Sequence, residues 1–112
     1  MSDLLQQLGA LLQARKQADP DSSYVAGLYQ CGLNKILEKV GEEATEVILA
    51  AKDVERGGER SELVGEVADL WFHSMVMLAH LDVDINEVLD CLDERFGTSG
   101  LEEKTSRGNP SG

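Results

Sequence analysis

Two acidic clusters hold the residues best suited to chemistry: Glu42-Glu43-Ala44-Thr45-Glu46 and Glu66-Val67-Ala68-Asp69. Positions i and i+3 share a helix face, so Glu43 pairs with Glu46, and Glu66 with Asp69, if both segments are helical. Two such helices packed face to face would bring these carboxylates into one small volume. Converging oxygen ligands suit a hard divalent cation, above all Mg²⁺. Carboxylates ~5 Å apart repel by roughly 0.8 kcal/mol in water and roughly 3 kcal/mol at an effective dielectric of 20. Beside an apolar core that repulsion has to be relieved by protons or cations, and cations are the simpler supply at neutral pH.

With 21 Asp and Glu among 112 residues, a few acidic i, i+3 pairs arise from composition alone. Their place on the helix carries more information. Counting about 100° per residue from Glu43, the near neighbours are Ile36, Val47 and Ala50, with Glu46 about 60° to one side. From Glu66 the same count puts Leu70 and Met77 close by, with Asp69 and His73 on the flank. Both pairs therefore lie at the edge of an apolar stripe. The competing reading is an acidic bundle face that is merely solvated. Gly41 and Gly65 each precede a cluster, and a glycine inside a helix costs about 1 kcal/mol relative to Ala. Close helix approach or room for a ligand would justify that cost.

The elements that must position these clusters read as helices throughout. Leu4, Leu5, Leu8, Leu11 and Leu12 follow helical spacing and predict a first helix ending before Asp19-Pro20, with Arg15 and Lys16 in its last turn. Asp19 to Ser23 is turn and cap chemistry, Tyr24 to Cys31 a short helix, and Gly32 either its end or a bend. A long helix from Leu33 to about Val54 has the apolar stripe Ile36, Leu37, Val40, Ala44, Val47, Ile48 and Ala51. Gly57-Gly58 breaks it, and a second long helix runs from about Arg60 to His80. Asp84 and Glu87 form a capping-box start for a last helix, Ile85 to about Phe96. Leu101 to Lys104 reads as one further helical turn. Period-two alternation is nowhere sustained, so the expected fold is all-α, a four- to five-helix antiparallel bundle. One domain spans residues 1–104, and residues 105–112 read as a flexible tail.

Net charge is −11, which opposes nucleic-acid binding, since that rests on basic patches. No apolar run approaches the ~20 residues needed to cross a bilayer, and the start of the chain lacks a secretory signal. The expectation is a cytoplasmic protein with no membrane partner. Cys31 and Cys91 stand far apart, outside any ligand spacing, and are expected to be small semi-buried thiols in a reducing compartment. His73 is read as a core histidine, or one standing behind the ligands, and not as a ligand itself. His80, Trp71 and the methionines are read as core or interface.

The pattern EExxE at Glu42 to Glu46, followed about 20 residues later by ExxD at Glu66 to Asp69, resembles the all-α, MazG-like nucleotide pyrophosphatases. Within that group the chain is most similar to the phosphoribosyl-ATP pyrophosphatases. Arg15-Lys16, Asp21-Ser22-Ser23-Tyr24, the run from Gly32 to Glu46, the run from Glu66 to His73, and Gly100 to Lys104 carry the resemblance. It implies hydrolysis of phosphoribosyl-ATP to phosphoribosyl-AMP and pyrophosphate, the second step of histidine biosynthesis, with Mg²⁺ and in a homodimer. It further implies Glu43, Glu46, Glu66 and Asp69 as metal ligands. Glu42 would be either a further ligand or the group that orients the attacking water. Arg15, Lys16, Lys35 and Lys39 are the basic residues best placed for phosphates, each with an exposed solubilising charge as its alternative. Ser22, Ser23 and Tyr24 would line the nucleotide pocket, although a helix cap explains the serines equally well. Two rival functions remain: a house-cleaning nucleoside triphosphate pyrophosphohydrolase and a non-enzymatic helical dimerisation module.

Overall fold

Cap chemistry divides residues 2–97, the part of the chain that the computed structural model describes, into five α-helices. These are α1 (Ser2–Ala14), α2 (Tyr24–Cys31), α3 (Leu33–Glu55), α4 (Arg60–His80) and α5 (Ile85–Phe96), with a 3-10 turn at Arg15–Gln17. No strand occurs among the described residues. The fold is all-α, as the periodicity predicts. Arg15 and Lys16 fall in the 3-10 turn that continues α1. The expected turn at Leu101 to Lys104 and the tail lie outside the described residues.

Each break has a local cause. The Ser23 hydroxyl oxygen accepts from the Ala26 N–H at 3.2 Å and caps α2. Gly32, at φ 97°, ends α2 and lets α3 start at once in a new direction. At the end of α3 the Gly57 N–H donates to the Val54 carbonyl at 2.9 Å, and the Gly58 N–H to the Asp53 carbonyl at 2.8 Å. This is a Schellman stop, with Gly57 in the left-handed region at φ 95°. A Cβ at position 58 would stand only 2.8 Å from the Asp53 carbonyl oxygen, so that position needs glycine as well. α4 closes with the same pair of bonds, Val83 to Leu78 at 2.9 Å and Asp82 to Ala79 at 3.1 Å. Here Asp82 takes the left-handed place, at φ 59°. Asp84 and Glu87 make both halves of the capping box of α5.

α3 and α4 form a long helical hairpin, and α1, α2 and α5 pack around one end of it. Leu12, Val25, Leu28, Ile36, Met75, Val76 and Ala79 make the core, flanked by Leu5, Leu8, Tyr29, Phe72 and Ile85. Leu12, Ile36 and Val76 are fully buried, and each such side chain contributes about 2 kcal/mol by leaving water. The Tyr29 hydroxyl donates to the Leu12 carbonyl at 2.8 Å and ties α2 to α1. Burial pushes the Tyr29 phenol above its ordinary pKa.

Several expectations need correction. Cys31 and Cys91 are both exposed. Cys31 is the last residue of α2, beyond its buried positions, and α5 has no buried residue at all. Nothing comes within 4 Å of a Cβ placed on Gly41 or Gly65, so neither glycine serves close helix approach. Leu37, Ile48 and Ala51, expected in the apolar stripe of α3, are exposed, because only Ile36 and Ala50 of that helix reach the core.

Candidate active site

The two buried residues of α3, Ile36 and Ala50, are seven positions on either side of Glu43. Seven residues are close to two helical turns, so Glu43 lies on the same line and is directed at α4. Its side chain is only 12% exposed. α4 answers with Glu66 and Asp69. One carboxylate oxygen from each of Glu43, Glu66 and Asp69 lies within 4.8 Å of the others. Glu43 and Glu66 are half-buried, while Asp69 opens to solvent.

Crowding of like charge is felt most by Glu66. Its carboxyl is raised above the ordinary carboxylate range, first by desolvation and then by Glu46, Glu43, Asp69 and Glu62. Glu46 is thus close enough to act on Glu66, although it is exposed and stands outside the group of three. Glu42 is also outside it, with a carboxylate oxygen 3.3 Å from the Lys39 ammonium. Lys39 lies 3.9 Å from Glu43 as well, and its pKa is raised, first by the hydrogen bond to Glu42. A cation therefore already sits at one side of the acidic group.

Beside this centre two clefts meet at Tyr24. One, of about 340 Å³, is lined by Leu11, Arg15, Ser22, Ser23, Tyr24 and Phe72 among others. The second, of about 470 Å³, shares Ser22, Ser23 and Tyr24 and adds Lys35 and Cys31. Arg15 and Lys35 therefore both face clefts, one on each side of Tyr24. The serines also have local duties: Ser23 caps α2, and the Ser22 hydroxyl donates to the Asp19 carbonyl at 3.3 Å. Lys16 goes elsewhere and pairs with Asp82 at 2.7 Å. Asp82 follows the C-terminal end of α4, and at ~1.5 Å per residue that is ~20 Å along the axis from Asp69.

One contact had no signal in local sequence. The Tyr24 hydroxyl lies 2.9 Å from Nε2 of His73, across 49 residues of chain. His73 is the one buried polar residue among those described, and its Nδ1 lies 2.8 Å from the Asp69 backbone carbonyl. Spacing alone reveals only that His73 is one turn beyond Asp69.

A family model described as phosphoribosyl-ATP pyrophosphohydrolase matches residues 5–96. The chain belongs to that family. It is a hydrolase, a phosphoribosyl-ATP diphosphatase of histidine biosynthesis. The match takes in both acidic clusters, the Arg15 to Tyr24 segment and all five helices apart from the start of α1. The family reaction removes pyrophosphate from a highly charged nucleotide. In a chain of net charge −11, that requires the substrate's own charge to be neutralised where it binds.

Proposed function

We propose that the chain hydrolyses the α–β phosphoanhydride of phosphoribosyl-ATP, releasing phosphoribosyl-AMP and pyrophosphate, at the centre built from Glu43, Glu66 and Asp69. The observation that carries this reading is the convergence of three carboxylates within 4.8 Å on the inner faces of two helices. Such an all-oxygen, acidic set fits Mg²⁺, and Glu46, one turn from Glu43, completes the set that would hold it. Bound there, Mg²⁺ would neutralise phosphate oxygens and polarise the phosphorus for attack.

The remaining work falls to the chain's own side chains. Lys39, held between Glu42 and Glu43, offers an ammonium at the edge of the centre for a phosphate oxygen. Glu42, exposed and outside the group of three, is assigned the attacking water, which it would orient by accepting its hydrogen bond. Arg15 and Lys35 flank Tyr24 from the two clefts and would hold the outer phosphates or the phosphoribosyl group. Lys16 is assigned to Asp82, away from substrate.

The reading also includes a homodimer in the cytoplasm. Ile48, Leu49, Val64 and Trp71 stay largely exposed on the α3–α4 hairpin, the last three at 57, 68 and 60%. An apolar face of this kind on the carboxylate-bearing hairpin favours a second copy as its cover. No helix among the described residues is long and apolar enough to cross a membrane.

The test is pyrophosphate release from phosphoribosyl-ATP with and without Mg²⁺, for the native chain and for Glu43→Gln and Asp69→Asn. Each variant is expected to lose activity about a hundredfold or more while keeping its helical far-UV signal. Full activity in either variant would remove that residue from the centre. Turnover of ordinary nucleoside triphosphates in preference to phosphoribosyl-ATP would overturn the substrate assignment.

A further inference from the structure

The contact between α2 and α4 fixes a hydrogen-bond polarity. A backbone carbonyl can only accept, so the 2.8 Å contact between His73 Nδ1 and the Asp69 carbonyl places a proton on Nδ1. A neutral imidazole has one N–H, and Nε2 is then a lone-pair acceptor. With the ring neutral, the group 2.9 Å from Nε2, the Tyr24 hydroxyl, is the donor. Its only proton is thereby committed. Burial holds the ring in this pose, since His73 is 6% exposed and Phe72 packs edge-on against it at 5.1 Å between centroids. Tyr24 itself is more than half exposed, at the wall shared by the two clefts.

A phenol in this state offers only lone pairs outward. It would repel a phosphate oxygen and accept from a donor. His73 lies four residues beyond Asp69, ~6 Å along the helix, so Tyr24 stands a short step from the carboxylates that would hold Mg²⁺ against the phosphates in the proposed centre. On a nucleotide, the donor-bearing group that close to the α-phosphate is the sugar attached to it. We propose that His73 is a positioning residue that fixes the Tyr24 oxygen as a hydrogen-bond acceptor for a hydroxyl of that ribose. Tyr24 thereby contributes to substrate selection, and His73 acts through it.

This inference rests on the placement of the active site at Glu43, Glu66 and Asp69, and its tests separate from that placement. The first uses the native chain labelled with ¹⁵N-histidine. Long-range ¹H–¹⁵N correlation at mildly alkaline pH is expected to show His73 with its proton on Nδ1, and an Nε2–H tautomer would overturn the assignment. The second is a double-mutant cycle. Tyr24→Phe is expected to raise KM for phosphoribosyl-ATP about tenfold with kcat within about twofold, the pattern of a lost binding contact. His73→Phe should match it, the double variant should be no worse than either single one, and His73→Gln, whose amide oxygen can accept near Nε2, should recover most of the loss. Additive effects of the two single variants would overturn the coupling. The third removes the partner hydroxyl. On substrates carrying a 2′-deoxy or 3′-deoxy sugar at the α-phosphate, Tyr24→Phe should cost nothing on one of the two, and an undiminished cost on both would overturn the sugar contact. Loss of kcat in Glu43→Gln is a different signature, so failure of the active-site placement and failure of the Tyr24–His73 coupling are read independently.

Discussion

α4 is two helices in one. From His73 onward it holds all of its buried residues, His73, Met75, Val76 and Ala79, enclosed by α1, α2 and α3. Before His73 it has none, and Val64 and Trp71 face outward although their chemistry is that of a core. The acidic residues Glu66 and Asp69 belong to this open half. The packed half supplies rigidity, and the open half carries like charges and apolar side chains that a single copy leaves partly unsatisfied. Stability is thus concentrated at one end of the hairpin, and the carboxylates of the proposed centre stand beyond it.

A change in the packed half should show most strongly in stability. Leu12→Ala removes a fully buried side chain and is expected to cost about 3 kcal/mol in chemical denaturation. Trp71→Ala, a larger truncation at an exposed position, should cost the isolated fold little. A similar loss in both would erase the distinction between the halves. The opposite ranking is expected for assembly. Val64→Asp, or Trp71→Asp, should shift the proposed dimer towards monomer in sedimentation velocity, whereas Leu12→Ala at a temperature where it stays folded should not.

The charge of the open half has its own pH signature. The Glu66 carboxyl is raised in the folded chain, so between its ordinary value and the folded one the native state binds more protons than the unfolded state. Stability contributed through Glu66 therefore falls as pH rises through that window. Above it, the native state keeps an unrelieved repulsion that a divalent cation would remove. Glu66→Gln is expected to raise the melting temperature by a few degrees in chelator at neutral pH, and to abolish most of the further rise caused by millimolar Mg²⁺. A variant that melts lower than the native chain in chelator would contradict the repulsion.

Much of this division could be read from residues alone, and the part that could not has a physical cause. The bounds Arg60–His80 and Ile85–Phe96, the capping box at Asp84 and the stop at Gly57-Gly58 all follow from local chemistry. So does the direction of Glu43, because its heptad neighbours Ile36 and Ala50 are apolar. Local pattern does not say how wide a stripe the neighbours cover. Ile36 and Ile48 have the same apolar character, yet one is fully buried and the other exposed, because twelve residues turn Ile48 about 120° away from the line of Ile36 and Ala50. The partners of polar side chains are equally hidden. Tyr24 finds His73 across 49 residues, and Lys16 finds Asp82 across 66.

The Lys16–Asp82 pair gives the smallest effect and a clean contrast between Lys16 and Lys39. Lys39 is bound up with Glu42 and Glu43 beside the acidic centre, while Lys16 closes the turn after α4. Asp82 occupies a left-handed position that glycine more often fills, and its carboxyl is held below the ordinary range, first by the hydrogen bond from Lys16. A depressed acid stabilises the fold above its ordinary pKa and loses that contribution as pH falls through the folded value. Asp82 is mostly solvent-exposed, so screening leaves the contribution small. Lys16→Ala should therefore lower the melting temperature by a degree or two at neutral pH, by less in strong salt, and leave kcat and KM within about twofold of native. Lys39→Ala should do the reverse, with KM or kcat changed about tenfold or more and the melting temperature nearly unmoved. A kinetic defect in Lys16→Ala as large as that in Lys39→Ala would place Lys16 on the substrate after all and make the Asp82 pair a resting contact of the free enzyme.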